Sequence, residues 1–212
     1  MAQTPQALRI AGAGEFVGES TPDPAHLLRL AQALARMNYH LVVTTDQEAA
    51  LLKEAGSTLP VAVFGPEPTL HTLPTAHGPV AAVIFPATVS PQNMHAVGAL
   101  AQTARSTSGL VIGISPWGAD AETAFLAAYP QALDILLGAG PGPGSGGLFP
   151  NNGAQVWLRP YAGGKAVGQL RIPSLPAPGT KVSWKPGESL WATAIPLTDT
   201  IPDDPYIRSL FP

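Results

Sequence analysis

Asp134-Ile135-Leu136-Leu137-Gly138-Ala139-Gly140-Pro141-Gly142 is an apolar run that breaks into a glycine- and proline-rich stretch reaching Gly147. The run predicts a strand from 133 to 137. The residues after it predict a loop, because glycine supplies the positive φ and proline the fixed φ that turns need. They do not form a phosphate cradle, since no Lys-Ser or Lys-Thr ends them and no Gly-x-Gly-x-x-Gly opens a helix.

Upstream of this stretch, helical and strand patterns alternate. Alanine-rich residues 119 to 128 predict a helix and 110 to 114 a buried strand. Residues 91 to 104 return to helical spacing, and 80 to 85 form an apolar run without alternation, as in a strand covered on both faces. Between 64 and 80 lies a proline-rich segment, read as a loop with His71 and His77 solvated. Residues 60 to 64 and 41 to 44 predict strands. Asp46 is placed as the cap of a helix running through Leu52, with Gly56 as its stop. From 25 to 37, Leu27, Leu30, Leu34 and Met37 recur at three and four residues, which gives a helix with one buried stripe, and 8 to 11 predicts a first strand. Downstream, 155 to 158, 166 to 172 and 190 to 196 are short alternating strands between turns. Alternation of this kind predicts an α/β protein with sheets layered between helices and one core spanning residues 1–212.

Composition narrows the function classes. Charged residues are 12% of the chain against 45% hydrophobic, which argues for a well-buried globular body. The net charge of -3, from 14 acidic and 11 basic residues in no run of either sign, leaves no footprint for nucleic acid or anionic lipid. No apolar stretch approaches the roughly 20 residues that span a bilayer, so no membrane insertion is expected. With no cysteine, disulfides, thiolate metal sites and cysteine nucleophiles are excluded, and the composition suits an oxidising compartment. Ala2-Gln3-Thr4-Pro5 reads as a polar mature terminus left after leader removal, so a periplasmic or extracellular location is expected.

Three stretches resemble the 5'-nucleotidase and UDP-sugar hydrolase branch of the calcineurin-like metallophosphoesterases. The tail from Ala194 to Pro205 resembles the end of that catalytic domain, a strand followed by an acidic, proline-marked turn into a linker helix. Gly164-Lys165-Ala166-Val167-Gly168 is similar to the family's late Gly-Lys-x-x-Gly hairpin. Asp134 to Gly138 resembles the strand leading into its Gly-His-x-His metal motif. The resemblance implies a truncated α/β/β/α sandwich of metallophosphoesterase type without the C-terminal substrate domain of the nucleotidases.

That family holds two divalent metals on loops at strand ends, where they activate water and clamp phosphoryl oxygens. Carried over residue by residue, the ligands are largely missing here. Glu15-Phe16-Val17-Gly18 stands at the Asp-x-His position, and the bridging Gly-Asp segment has no counterpart. Thr45-Asp46-Gln47-Glu48 aligns with Gly-Asn-His-Glu, so the catalytic imidazole is replaced by Gln47. Pro116, beside Trp117, takes the place of the next histidine, and Gly140 and Gly142 take the places of the final pair. A metal pair needs about six to eight donors. Only Glu15, Asp46 and Glu48 remain, and the five histidines at 26, 40, 71, 77 and 95 form no pair at ligand spacing.

The resemblance therefore implies a vestigial cleft formed by Glu15, Asp46, Gln47, Glu48, Trp117, Gly140 and Gly142, with no metal, no cofactor and no catalytic residue. Glu15 and Asp46 are expected to be tied down by backbone amides or water. Trp117 either plugs the cleft or stacks on a ligand. Trp157, Tyr161, Trp184 and Trp191 read as sheet-packing residues. Ser115 and Ser145 lie in no Gly-x-Ser-x-Gly elbow and are not nucleophiles. The expected function is that of a pseudoenzyme, a binding or accessory protein with a protein or small-molecule partner in the cell envelope. The alternative is a weak metal-dependent phosphoesterase using Glu15, Asp46 and Glu48.

Overall fold

The computed structural model describes residues 7–12, 16, 23–161 and 164–211. The chain forms two compact units, residues 1–65 with 199–212, and residues 66–198.

In the first unit, β1 (Ile10–Ala11), β2 (Leu41–Thr44) and β3 (Ala62–Val63) form a parallel sheet in the order β1-β2-β3. Helix α1 (Pro24–Arg36) begins with proline in its first turn, where the missing N–H is not needed. Its apolar face buries Leu27, Ala31 and Leu34, which pack with Ala11, Phe16, Val42 and Leu52. Met37 falls outside this stripe: it is the C-cap residue and is exposed. Helix α2 (Asp46–Glu54) follows β2 directly, and Gly56 takes a positive φ just beyond its end. The first unit is completed by the short helix α6 (Pro205–Leu210), which follows the acidic turn as the resemblance implied.

Asp23 caps α1 by accepting from the His26 N–H at 2.9 Å. That hydrogen bond holds its carboxyl below the usual carboxylate range, against the weaker opposing effect of desolvation. A depressed folded pKa means that the cap contributes fully above the unfolded pKa and is lost as pH falls through the folded one. An NMR titration of the His26 amide is expected to show loosening of the first turn at low pH, and Asp23→Asn, itself a good cap, is expected to abolish that pH dependence. An identical titration in the two proteins would reject the assignment.

The second unit is built on a six-stranded sheet of order β4-β5-β6-β7-β9-β8. Its strands are β4 (Thr69–Leu73), β5 (Val80–Ile84), β6 (Leu110–Ser115), β7 (Ile135–Gly138), β8 (Ser145–Leu148) and β9 (Val156–Arg159). The middle pairings β5-β6-β7-β9 are parallel and the two edges antiparallel. Every residue of β5 and β6 is buried, which is why both read as apolar runs without alternation. Helices α3 (Pro91–Arg105) and α4 (Ala119–Ala128) supply Val97, Ala101, Phe125 and Leu126 to a core with Val83, Phe85, Val111 and Leu136. A single distorted turn, α5 (Pro150–Gly153), leads into β9. Strands β10 (Ala166–Arg171) and β11 (Trp191–Pro196) form a separate antiparallel hairpin.

Two sequence readings are corrected. His71 is not in a solvated loop but in the middle of β4, paired with Ala82 of β5; the flanking Pro66, Pro68 and Pro74 hide a strand only five residues long. The glycine stretch is likewise not loop throughout, because Ser145 to Leu148 pairs with β9 across a register shift.

A buried ion pair knits this unit. Arg105 donates to Asp134 Oδ1 at 3.0 Å, while Asp134 Oδ2 accepts from the Val111 N–H at 2.8 Å. Burial pushes the Asp134 carboxyl up, against the pull of Arg105 and the Val111 amide. The guanidinium also donates to the Thr180 carbonyl at 3.1 Å, fastening an irregular segment to the end of α3.

One chain-wide core is a proposal about cooperativity. Calorimetry is expected to give a single transition, and two separated ones would reject it.

Candidate functional site

In the first unit the expected site residues sit at the start of α2. Thr45, not Asp46, is the N-cap: its side chain accepts from the Glu48 N–H at 3.2 Å, and the Glu48 carboxylate reaches back to the Thr45 N–H at 2.9 Å. This is a capping box, a pattern that satisfies two orphan amides at once. Glu48 is buried, and its other oxygen accepts from the Phe16 N–H at 3.2 Å. So the carboxylate held by backbone amides is Glu48. Asp46 and Gln47 are exposed in the first turn, and among the described residues no backbone amide donates to the Asp46 carboxylate. Glu15, with Val17 and Gly18, lies outside the described residues.

Removing Glu48 is expected to cost about 1–3 kcal/mol, because two amides lose their acceptor in a buried setting. Asp46→Ala, an exposed change, is expected to stay within about 0.5 kcal/mol. Urea denaturation of both variants makes the comparison. Equal effects would show that Glu48 is not the anchor.

The second unit contains the loops after β6 and β7, and these two do come together. The Ala139 N–H donates to the Ser115 carbonyl at 2.8 Å, the Gly118 N–H to Ala139 O at 3.0 Å, and the Ala119 N–H to Pro141 O at 2.8 Å. Trp117 is half buried; its indole lies 4.7 Å from the Phe85 ring and donates to the Pro86 carbonyl at 2.7 Å. It is thus held as a core-packing aromatic with its one polar atom satisfied. His40 also serves the backbone, accepting from the Arg9 N–H through Nδ1 at 3.2 Å.

Beneath the glycine-rich loop lies a cluster that the sequence reading did not identify. Arg159, 4% exposed at the end of β9, forms a buried salt bridge with Glu122 of α4, which is fully buried. The same guanidinium donates to three loop carbonyls: Nη2 to Gly140 O at 2.8 Å and Pro141 O at 3.0 Å, and Nε to Pro143 O at 3.1 Å. Trp157 Nε1 donates to Glu122 Oε2 at 2.9 Å. The planar guanidinium is suited to this role because its donors point outward in a fixed fork. The sequence carried a signal for the burial of Glu122 but none for its partner: Glu122 precedes Phe125 and Leu126 by three and four residues, so it shares their buried helix face.

The loop positions that would carry the final imidazoles do not fit a divalent metal site. Gly140 has φ +72, and a Cβ there would lie 2.4 Å from the Pro116 carbonyl oxygen. Gly142 has φ +124, and its Cβ would lie 2.5 Å from that of Ala119. Neither position has room for a histidine side chain. Among the described residues no three His, Asp or Glu side chains gather as a metal-binding group.

No protein-family model and no curated protein sequence matches this chain. Among solved structures, the sulfate thiohydrolase SoxB of Thermus thermophilus, in complex with glycerol, superposes with a TM-score of 0.67 at 13% identity. The match covers 96% of this chain and 41% of that one, so this chain spans well under half of its length. A hypothetical protein, also from Thermus thermophilus (TM-score 0.44, 14% identity, 72% of this chain and 75% of that one), and a phosphatase from Mycoplasma pneumoniae (0.38, 11%, 71% and 68%) are more distant. The SoxB likeness shows the fold alone, a mixed α/β arrangement of parallel and antiparallel sheets with helices.

Proposed function

We propose that this chain is a degenerate metallophosphoesterase-fold domain that binds a protein or small-molecule partner in the cell envelope and does not hydrolyse phosphoesters. The observation that carries this reading is the loop after β7. Gly140 and Gly142 leave no room for side chains there, and the Arg159 guanidinium occupies the loop's carbonyls. A cation at the centre of such a loop repels a divalent metal, and its donors are directed at the loop and at Glu122 rather than at a phosphoryl oxygen. In the other unit, the buried carboxylate of the aligned motif, Glu48, is engaged by the start of its own helix. The envelope location rests on the cysteine-free composition.

Metal analysis of the purified protein, together with a hydrolysis assay, tests the reading. The assay needs generic phosphoesters and nucleotides, and also sulfate-releasing substrates, because the structural neighbour is a sulfate thiohydrolase. No stoichiometric metal and no turnover are expected with or without added Mn²⁺ or Mg²⁺. Turnover that is lost in Asp46→Ala would establish the opposite reading, a weak metal-dependent hydrolase. A pull-down from the envelope fraction then addresses the partner.

A further inference from the structure

Four oxygen acceptors converge on the head of Arg159: the carbonyls of Gly140, Pro141 and Pro143, and Glu122 Oε2. Three alternate glycines make this convergence possible. A Cβ on Gly138 would run into the Glu122 carboxylate, one on Gly140 into the Pro116 carbonyl, and one on Gly142 into Ala119 and to 3.4 Å from Arg159 Nη2. The surroundings demand a cation. Glu122 is fully buried, and its Oε1 has no hydrogen-bond partner among the described residues, so without a positive charge beside it the carboxylate would stand desolvated and unpaired. The shape demands a particular cation. The acceptors are reached from three different nitrogens, Nε, Nη1 and Nη2, at the rim of a planar group. A bare metal ion would need the same oxygens drawn in around a single point, to the roughly 2.3–2.6 Å at which calcium holds them. The hydrogen bonds that tie this loop to the one after β6 oppose such a contraction.

We propose that the loop after β7 and Glu122 form a receptor for a guanidinium cation, with Arg159 as its tethered occupant. The ligand class of this seat is a planar organic cation with several N–H donors, and a spherical metal ion has the wrong shape for it whatever its charge. Because the occupant belongs to the chain, the seat is filled in every folded molecule and the loop is held independently of ion supply. The inference rests on the same loop as the proposed function, but it is read in stability rather than turnover, so failure of one is distinguishable from failure of the other.

Thermal unfolding of Arg159→Ala with added cations tests it. N-ethylguanidinium carries the atoms that this substitution removes beyond Cβ. It is expected to raise the melting temperature of Arg159→Ala by several degrees, at concentrations that do not raise that of the wild type. Ethylammonium, K⁺, Ca²⁺ and Mn²⁺ are expected to give no rise, and Glu122→Gln combined with Arg159→Ala is expected to lose the response to N-ethylguanidinium. Arg159→Lys keeps the charge without the fork and needs no added ligand, so it carries the test should Arg159→Ala fail to fold. It is expected to melt lower than wild type, with faster amide exchange at Gly118 and Ala119, whose N–H groups donate to the loop carbonyls of Ala139 and Pro141. A folded Arg159→Ala that gains nothing from N-ethylguanidinium, or gains more from Ca²⁺ or Mn²⁺, would overturn the proposal. An Arg159→Lys protein with wild-type melting and exchange would overturn it equally, since charge alone would then suffice.

Discussion

Glu122→Ala is expected to lower the free energy of unfolding by about 3–5 kcal/mol, the usual cost of removing one partner from a buried ion pair. The size follows from what is left behind. Arg159 is 4% exposed and would keep its charge without a counter-ion, and the Trp157 indole N–H would lose its acceptor. The three loop carbonyls solvate the guanidinium in part but bring no net charge. The double variant Glu122→Leu with Arg159→Met removes both charges and restores apolar volume, so it is expected to be less destabilised than Glu122→Ala despite carrying more changes. Guanidinium denaturation of the three proteins gives the ordering. A Glu122→Ala protein within about 1 kcal/mol of wild type would mean that the pair contributes no more than an exposed one.

Gly140→His is expected to fail at folding before it can be tested as a metal ligand. The left-handed backbone conformation alone costs a side chain roughly 1–2 kcal/mol, and the new Cβ would sit 2.4 Å from a backbone oxygen of the adjoining loop. Neither atom can swing away as a side chain would, so the loops must part and strain the three hydrogen bonds between them. We expect a total loss of about 3 kcal/mol or more, read as a fall in melting temperature, with no gain in zinc or manganese uptake by equilibrium dialysis. The pair Gly140→His with Gly142→His is expected to be worse, because Gly142 also has positive φ and presses on Ala119. A well-folded double variant that takes up stoichiometric metal would reverse the reading of this loop.

Long periodic elements were legible in the sequence. Helix α4 has the expected limits, 119 to 128, and α3 extends by one residue to Arg105. The buried strands β5 and β6 were legible because burial on both faces leaves an unbroken apolar run. β4 was lost because proline at 66, 68 and 74 dominates any local reading, and β8 because two of its four residues are glycine. At the site, the loop could be found from its glycines, whereas its anchor could not. Arg159 ends an apolar strand and Glu122 stands in an alanine-rich helix, 37 positions apart, and a single sequence does not reveal that such residues meet. The capping box was legible, since Thr45 and Glu48 have the required spacing, but Asp46 one position later is an equally good cap residue by type and was placed there instead.

The position of Arg159 also bears on which ancestors and descendants this chain can have. One side chain serves four acceptors, on a helix and on three residues of a loop. A lineage moving from this arrangement to an imidazole-bearing loop would have to change 122, 140, 142 and 159 together, since each single step either strands a buried charge or forces a Cβ into occupied space. Two viable sequences are then separated by inviable intermediates, and drift between them is blocked in both directions unless stabilising changes elsewhere come first. Close relatives of this chain should therefore keep Glu122, Gly140 and Arg159 as a set or have lost all three.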